Sequence, residues 1–209
     1  MTLVSEHVEP DMRERILVVA ERLFREIGYQ KTTVADIAKA LRMSPANVYR
    51  FFESKKAIHQ AVARLLMGGV EEAAQAIAAR PGSAAGRLRE LLSTIHHMNT
   101  ERYVGDSKLH EMVAIAMEEN WDVCEAHMQL IGQIIGAVIG QGVASGEFDV
   151  ADVPLAATCT CMAMMRFFHP QMIAQCIDKP SPTLDEMIDF VIASLSPRAN
   201  ARPVTGSAK

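Results

Sequence analysis

The sequence predicts an all-α chain with a small N-terminal bundle and a larger helical body, and three observations predict it. Apolar residues recur at three- and four-residue spacing almost throughout, the alternation typical of strands is absent, and Ser, Thr, Asp, Gly and Pro fall where helices start and stop. With 209 residues, 49% of them hydrophobic and 22% charged, the chain has enough apolar material for a sizeable core.

The first helix is expected from about Met12 to Ile27, because Ile16, Ala20, Leu23, Phe24 and Ile27 share a face. Asp11 with Glu14 makes a capping-box-like pair at its start, and Gly28 ends it. Thr33, with Asp36 three residues later, opens a short second helix. Ser44 opens a third, with Pro45 at the first helical position, where its missing N–H costs nothing. Ser54 opens a long fourth helix to about Arg80, ended by Pro81-Gly82. Further helices are expected near 84–101, 106–119, 121–145, 152–168 and 184–195, the last opened by a Thr183/Glu186 capping box. Pro170 should break the chain near Phe168. The domains read as a disordered 1–10, a head over 11–56, a body over 57–196 and a disordered Pro/Ala/Gly/Ser-rich tail over 197–209.

A net charge of −4 hides an asymmetry. Asp11 to Leu66 holds 11 basic and 6 acidic residues, a balance of +5, while the stretch after Leu66 carries −7. A basic head on an acidic body suggests a unit that grips a polyanion, joined to one with another task.

Thr32 to Ile58 gives the head its chemistry. Val34, Ile37, Ala38 and Leu41 form the apolar side of one short helix, and Ala38 is small enough for a second helix to cross closely. Arg42-Met43-Ser44 is the turn, and Val48, Phe51 and Phe52 are the apolar side of the next helix, leaving Ala46, Asn47 and Arg50 outward. Two short helices joined in this way form a helix-turn-helix, whose second helix suits the DNA major groove. Thr33, Tyr49, Lys55 and Lys56 flank it as hydroxyl and ammonium donors for phosphates, and Arg42, Ser44 and Pro45 complete the candidate DNA-binding set.

These residues resemble the DNA-binding domain of the TetR family of transcriptional regulators. The resemblance rests on Ile16 through Phe24, Gly28, Thr32-Thr33, Asp36-Ile37-Ala38, Ala40, Ser44, Val48-Tyr49, Phe52 and Lys55, an ordered pattern over the first quarter to third of the chain. It implies phosphate contacts from Thr33, Tyr49 and Lys55 and a recognition helix over Pro45–Phe51. Pro45-Ala46-Asn47 departs from the family's common basic-Gly start and leaves Asn47 and Arg50 as the main base readers. The resemblance further implies a ligand-responsive repressor acting as a cytoplasmic homodimer on double-stranded operator DNA, with a C-terminal domain that binds a small effector and dimerises through its last two helices.

On that reading Cys161, Met164, Met165 and Phe168 of the penultimate helix, and Met187, Phe190, Val191 and Leu195 of the last, are the candidate dimer face; the alternative is that they close the chain's own core. The chain's 13 methionines lie mostly after Leu66. Met98, Met112, Met117, Met128, Met162 and Met172, with the single tryptophan Trp121, are candidate walls of an adaptable pocket for an apolar effector, ordinary core packing being the competing reading. Asn99, His97, His110, Glu118 and His127 are candidates to orient that ligand. Gly132, Gly136 and Gly140 recur every four residues with Ala144 continuing the row, a stripe that lets another helix approach.

No hydrolase, nucleotide-binding or zinc-protease motif is present, so no enzyme and no cofactor is expected. Cys124 and His127 share a helix face, but no second pair completes a metal site. The four cysteines read as free thiols, and Leu130 to Ala144, the most apolar stretch, is shorter than the ~20 residues of a membrane span.

Overall fold

A computed structural model describes residues 11–103, 108, 112, 115, 122–175 and 180–197. Among them every regular element is a helix: α1 Met12–Ile27, α2 Val34–Ala40, α3 Pro45–Tyr49, α4 Lys55–Ala78, α5 Ala84–Tyr103, α6 Asp122–Ser145, α7 Val153–Ala163, α8 Met165–Phe168, α9 Pro170–Gln175 and α10 Leu184–Leu195. The expected disorder of 1–10, most of the expected 197–209 tail and most of the expected 106–119 helix lie outside the described residues.

The chain divides into two compact units, residues 1–70 with 100–127 and residues 71–99 with 128–209. In the first, Ile16, Ala20 and Phe24 of α1, Ile37 and Ala38 of α2, Val48 of α3 and Ile58 and Val62 of α4 are buried in one apolar cluster. The expected boundary at 56/57 falls inside this unit, because the start of α4 belongs to the head's core. Local chemistry sets the helix ends. The Thr33 hydroxyl accepts from Asp36 N, and Asp36 reaches back to Thr33 N. Ser44 Oγ accepts from Asn47 N, and Ser54 Oγ accepts from Ala57 N. Asp11 precedes α1 without a side-chain cap bond, unlike the expectation. Gly28, at φ 100°, stops α1 in a conformation that disfavours a β-carbon, and the buried Thr32 hydroxyl ties back to Gly28 O at 2.8 Å.

Most of α6, from Met128 on, belongs to the second unit. By length and composition it is apolar enough to cross a membrane, but Ile131, Ile134, Ile135, Val138 and Ile139 are buried in the chain's own core. The glycine row faces α7: β-carbons built on Gly132, Gly136 and Gly140 would lie 4.0, 3.5 and 3.9 Å from Cys161 Sγ, Ala157 Cβ and Val153 Cγ1. The stripe is therefore a packing surface, as expected, yet it leaves room for a methyl group. Gly142 does not: its β-carbon would meet Phe148 at 2.2 Å and Ala84 at 2.9 Å. That loop also caps α5, since the Glu147 carboxylate accepts from Ala84 N and Ala85 N at 2.9 and 3.1 Å. These bonds hold Glu147 below the usual carboxylate range.

The single helix expected over 152–168 is interrupted at Met164, which is wholly buried. The chain is then extended at His169, as a residue before proline prefers, and restarts as a helix at Pro170. The carbonyls left over at this break are satisfied from α5: His96 Nδ1 donates to Phe167 O at 2.9 Å and Asn99 Nδ2 to Phe168 O at 2.8 Å.

Glycine substitutions in α6 should thus differ in sign with position. Gly132→Ala or Gly140→Ala should raise stability by about 0.5–1 kcal/mol through backbone entropy. Gly142→Ala should lower it by about 1–3 kcal/mol through overpacking. Urea denaturation of the three variants checks this; a stabilised Gly142→Ala would mean that Phe148 does not sit against α6.

Candidate nucleic-acid interface

The face that α2 and α3 present is set by what they bury. Val48, Ile37 and Ala38 are at most 1% exposed, which fixes how α3 is rotated and turns Ala46, Asn47, Tyr49 and Arg50 outward. α3 is shorter than expected, ending at Tyr49 with Arg50 as its cap; Phe52 is buried, but Phe51, expected on the packed side, follows the helix end and is exposed. The turn runs through Arg42, whose φ of 56° is left-handed, a conformation that costs a residue with a β-carbon about 1–2 kcal/mol. Arg42 is exposed.

Hydrogen bonding divides the sequence-predicted DNA contacts into two groups. Thr33 is exposed, but its single hydroxyl proton goes to Asp36 Oδ2 at 2.6 Å, so the expected donation to a phosphate competes with the cap. The same hydroxyl, followed by the Thr33 backbone N–H, holds the Asp36 carboxyl below its ordinary value, keeping it anionic beside α2. Lys55 is anchored: Nζ donates to Gln30 O at 3.2 Å and lies 4.3 Å from the Tyr29 ring centroid. Tyr29 in turn stacks on the buried His59 at 4.0 Å between centroids. This anchoring was not apparent in the sequence, where Tyr29 and His59 lie 30 residues apart. Lys56 is exposed. Among the described residues, the side chains of Asn47, Tyr49 and Arg50 have no hydrogen-bond or ion-pair partner. Ser44 Oγ accepts in its cap and keeps its proton to donate.

In the second unit the expected dimer residues separate. Met164, Val191 and Leu195 are buried in the chain's own core, and Cys161 packs over the glycine row of α6, where burial pushes its thiol pKa up. Burial favours the core alternative for Met164, Val191 and Leu195, while Cys161 is half-buried. Met165, Phe168 and Met187 are half-buried, and Phe190 is 66% exposed. The residues that join Phe190 on the surface are Leu155 (58%), Met162 (65%) and Cys159, with Leu155, Cys159 and Phe190 bordering an open groove between α7 and α10. Sequence reasoning missed Leu155 and Cys159 because α7 is apolar all round, so periodicity marks no outer face.

Among the described residues, the methionines expected to line an effector pocket have differing surroundings. Met112 is buried among Ile16 and Phe24 in the first unit, Met98 is half-buried on α5, and Met128 and Met162 are exposed. Met117 and Trp121, with His110 and Glu118, lie outside the described residues. Methionine serves equally in packed cores and on adaptable surfaces, so its count alone does not locate a cavity. Among the described residues no group of three or more His, Cys, Asp or Glu side chains is arranged to hold a metal ion.

Residues 16–62 match the family described as bacterial regulatory proteins, tetR family, and residues 84–188 match the tetracyclin repressor-like C-terminal domain. The biofilm operon negative transcriptional regulator IcaR of Staphylococcus aureus is 43% identical over 49 residues, 23% of this chain and 26% of that protein. An HTH-type transcriptional repressor of Mycobacterium tuberculosis is 36% identical over 93 residues, 44% and 47% of the two. The chain thus spans between a quarter and a half of the length of these curated relatives. A TetR/AcrR family regulator from Thermobifida fusca superposes with a TM-score of 0.58 at 25% identity, over 88% of this chain and 96% of that one. SmeT, the repressor of a Stenotrophomonas maltophilia multidrug efflux pump, shares the fold with a TM-score of 0.66 at 17% identity, over 95% and 96%.

The Thr33–Asp36 pair gives a prediction about the cap. Thr33→Ala should cost about 1 kcal/mol of stability, while Thr33→Ser keeps both the cap and the fold. Asp36 has a lowered folded pKa, so its stabilisation is fully present above its ordinary value of 3.8 and is lost as pH falls through the lowered one. The difference in melting temperature between wild type and Asp36→Asn should therefore be full at pH 7 and close in acid. A gap that persists in acid would show that the carboxylate charge is not what the cap uses.

Proposed function

Because the chain belongs to the TetR family of bacterial regulatory proteins, we propose that it is a cytoplasmic, homodimeric transcriptional repressor that a small apolar effector releases from operator DNA. The observation that carries the reading is the outward face of α3. In a stretch with a net charge of +5, it offers Asn47, Tyr49 and Arg50 with no competing intramolecular bonds among the described residues.

Each group has a role on DNA. Tyr49 and Ser44 donate to phosphates, Lys55 contributes its charge from the position fixed by Gln30 O and Tyr29, and Arg42 and Lys56 add to the polyanion grip. Asn47 and Arg50 reach the base edges. Two copies supply two heads for two half-sites. The second copy packs on the α7–α10 surface, where Leu155, Met162 and Phe190 expose apolar area that a lone chain leaves in water. The apolar class of the effector is supported by the apolar composition of α7 and by the acyl chain of the lauroyl-CoA with which the FadR repressor of Thermus thermophilus was solved, a ligand whose CoA part is charged. Operator and effector oppose each other through the dimer, and the coupling is reciprocal.

Retardation of the gene's own upstream DNA by the full chain tests the reading. Affinity should fall steeply with salt. Tyr49→Phe should weaken binding to every sequence, while Arg50→Ala should relax discrimination at one position by about 1–3 kcal/mol. Phe190→Asp leaves the monomer's core untouched, since the side chain is exposed there; sedimentation should show a folded monomer that has lost operator affinity. Salt-insensitive binding, or a Phe190→Asp variant that remains dimeric, would contradict the corresponding half of the reading.

A further inference from the structure

Operator binding leaves open which bases are read, and the exposed side of α3 bears on that question. Pro45, Ala46 and Asn47 are successive exposed residues, and none of them is cationic. The Asn47 backbone N–H is taken by Ser44 Oγ at 3.3 Å, whereas its side-chain amide is unpartnered among the described residues. The next residue, Val48, is wholly buried, so the packing of the helix fixes the direction in which the Asn47 side chain leaves it.

A carboxamide offers one acceptor and one donor side by side. In the major groove only adenine matches it on a single base, with an N6 amino donor beside an N7 acceptor. Guanine shows two acceptors, cytosine a lone donor and thymine a lone acceptor. The thymine paired with that adenine projects a 5-methyl group, which suits apolar surfaces such as the Ala46 methyl and the Pro45 ring. The side chains that pair with guanine are cationic, and on this face the cation comes only later, at Arg50.

Resting on the operator-binding reading above, we propose that α3 specifies an A·T base pair in each half-site. Asn47 Oδ1 accepts from adenine N6 and Nδ2 donates to N7, while Ala46 and Pro45 pack on the thymine methyl.

The test is selection of duplexes from a randomised pool by the full chain, as wild type and as Asn47→Ala. Asn47 makes no side-chain bond within the described residues, so the variant keeps the fold. The wild-type pool should converge on a site with an A·T pair whose preference disappears with Asn47→Ala while other positions keep theirs. Replacing that adenine by 7-deazaadenine should weaken wild type roughly 5- to 100-fold and leave Asn47→Ala unaffected. Replacing the thymine by uracil should weaken wild type more than it weakens Ala46→Gly, which keeps only the Pro45 contact. The proposal is overturned if Asn47→Ala selects the wild-type site unchanged, if the position it relaxes is G·C, or if either base analogue binds wild type as well as the natural base. A wild-type chain that retains no duplex at all would instead defeat the operator-binding reading itself, an outcome distinct from these three.

Discussion

The proposed function depends on the burial of Val48. A helix of five residues has no stability of its own, because nucleation is unfavourable and so few residues follow it. α3 exists because Val48 is wholly removed from water in the cluster that holds Ile37 and Ala38, with Pro45 presetting the first backbone angle and Ser44 satisfying an early N–H. This anchor also fixes rotation. A helix held by one deeply buried side chain turns its opposite side outward, and that side carries Asn47 and Arg50. The small Ala38, 1% exposed, belongs to the same arrangement, since α2 and α3 pack directly on each other.

Around that anchor the polar side chains are divided between holding the fold and remaining available. Thr33 and Asp36 are committed to each other at 2.6 Å, and Lys55 is held by Gln30 O and the Tyr29 ring. Asn47, Tyr49 and Arg50 are not committed among the described residues. Holding Lys55 in place before binding reduces the ordering cost of its phosphate contact.

The head was legible in the sequence because its signals are local. Capping pairs, a proline at the first helical position and apolar residues at three- and four-residue spacing each act within a few residues, and α1, α2 and α10 lie where those signals put them. Hydrogen bonds that span the chain were not legible. Glu147 capping α5 from more than 60 residues away and His96 and Asn99 meeting the Pro170 break both depend on tertiary contacts. The second unit was read less well for a different reason. α7 is apolar on every side, so the sequence could not say that Cys161 faces the glycine row while Leu155 and Met162 face out. The methionines misled similarly: Met112 fills the first unit's core, and Met162 lies on the surface of the second.

The most direct test of the central claim is amide hydrogen exchange of the full chain with and without its upstream DNA duplex. The account expects new protection over Thr33 to Lys56, strongest from Arg42 to Arg50. Protection confined to the second unit, with Thr33 to Lys56 exchanging as in the free chain, would contradict the claim that α3 is the DNA-reading surface.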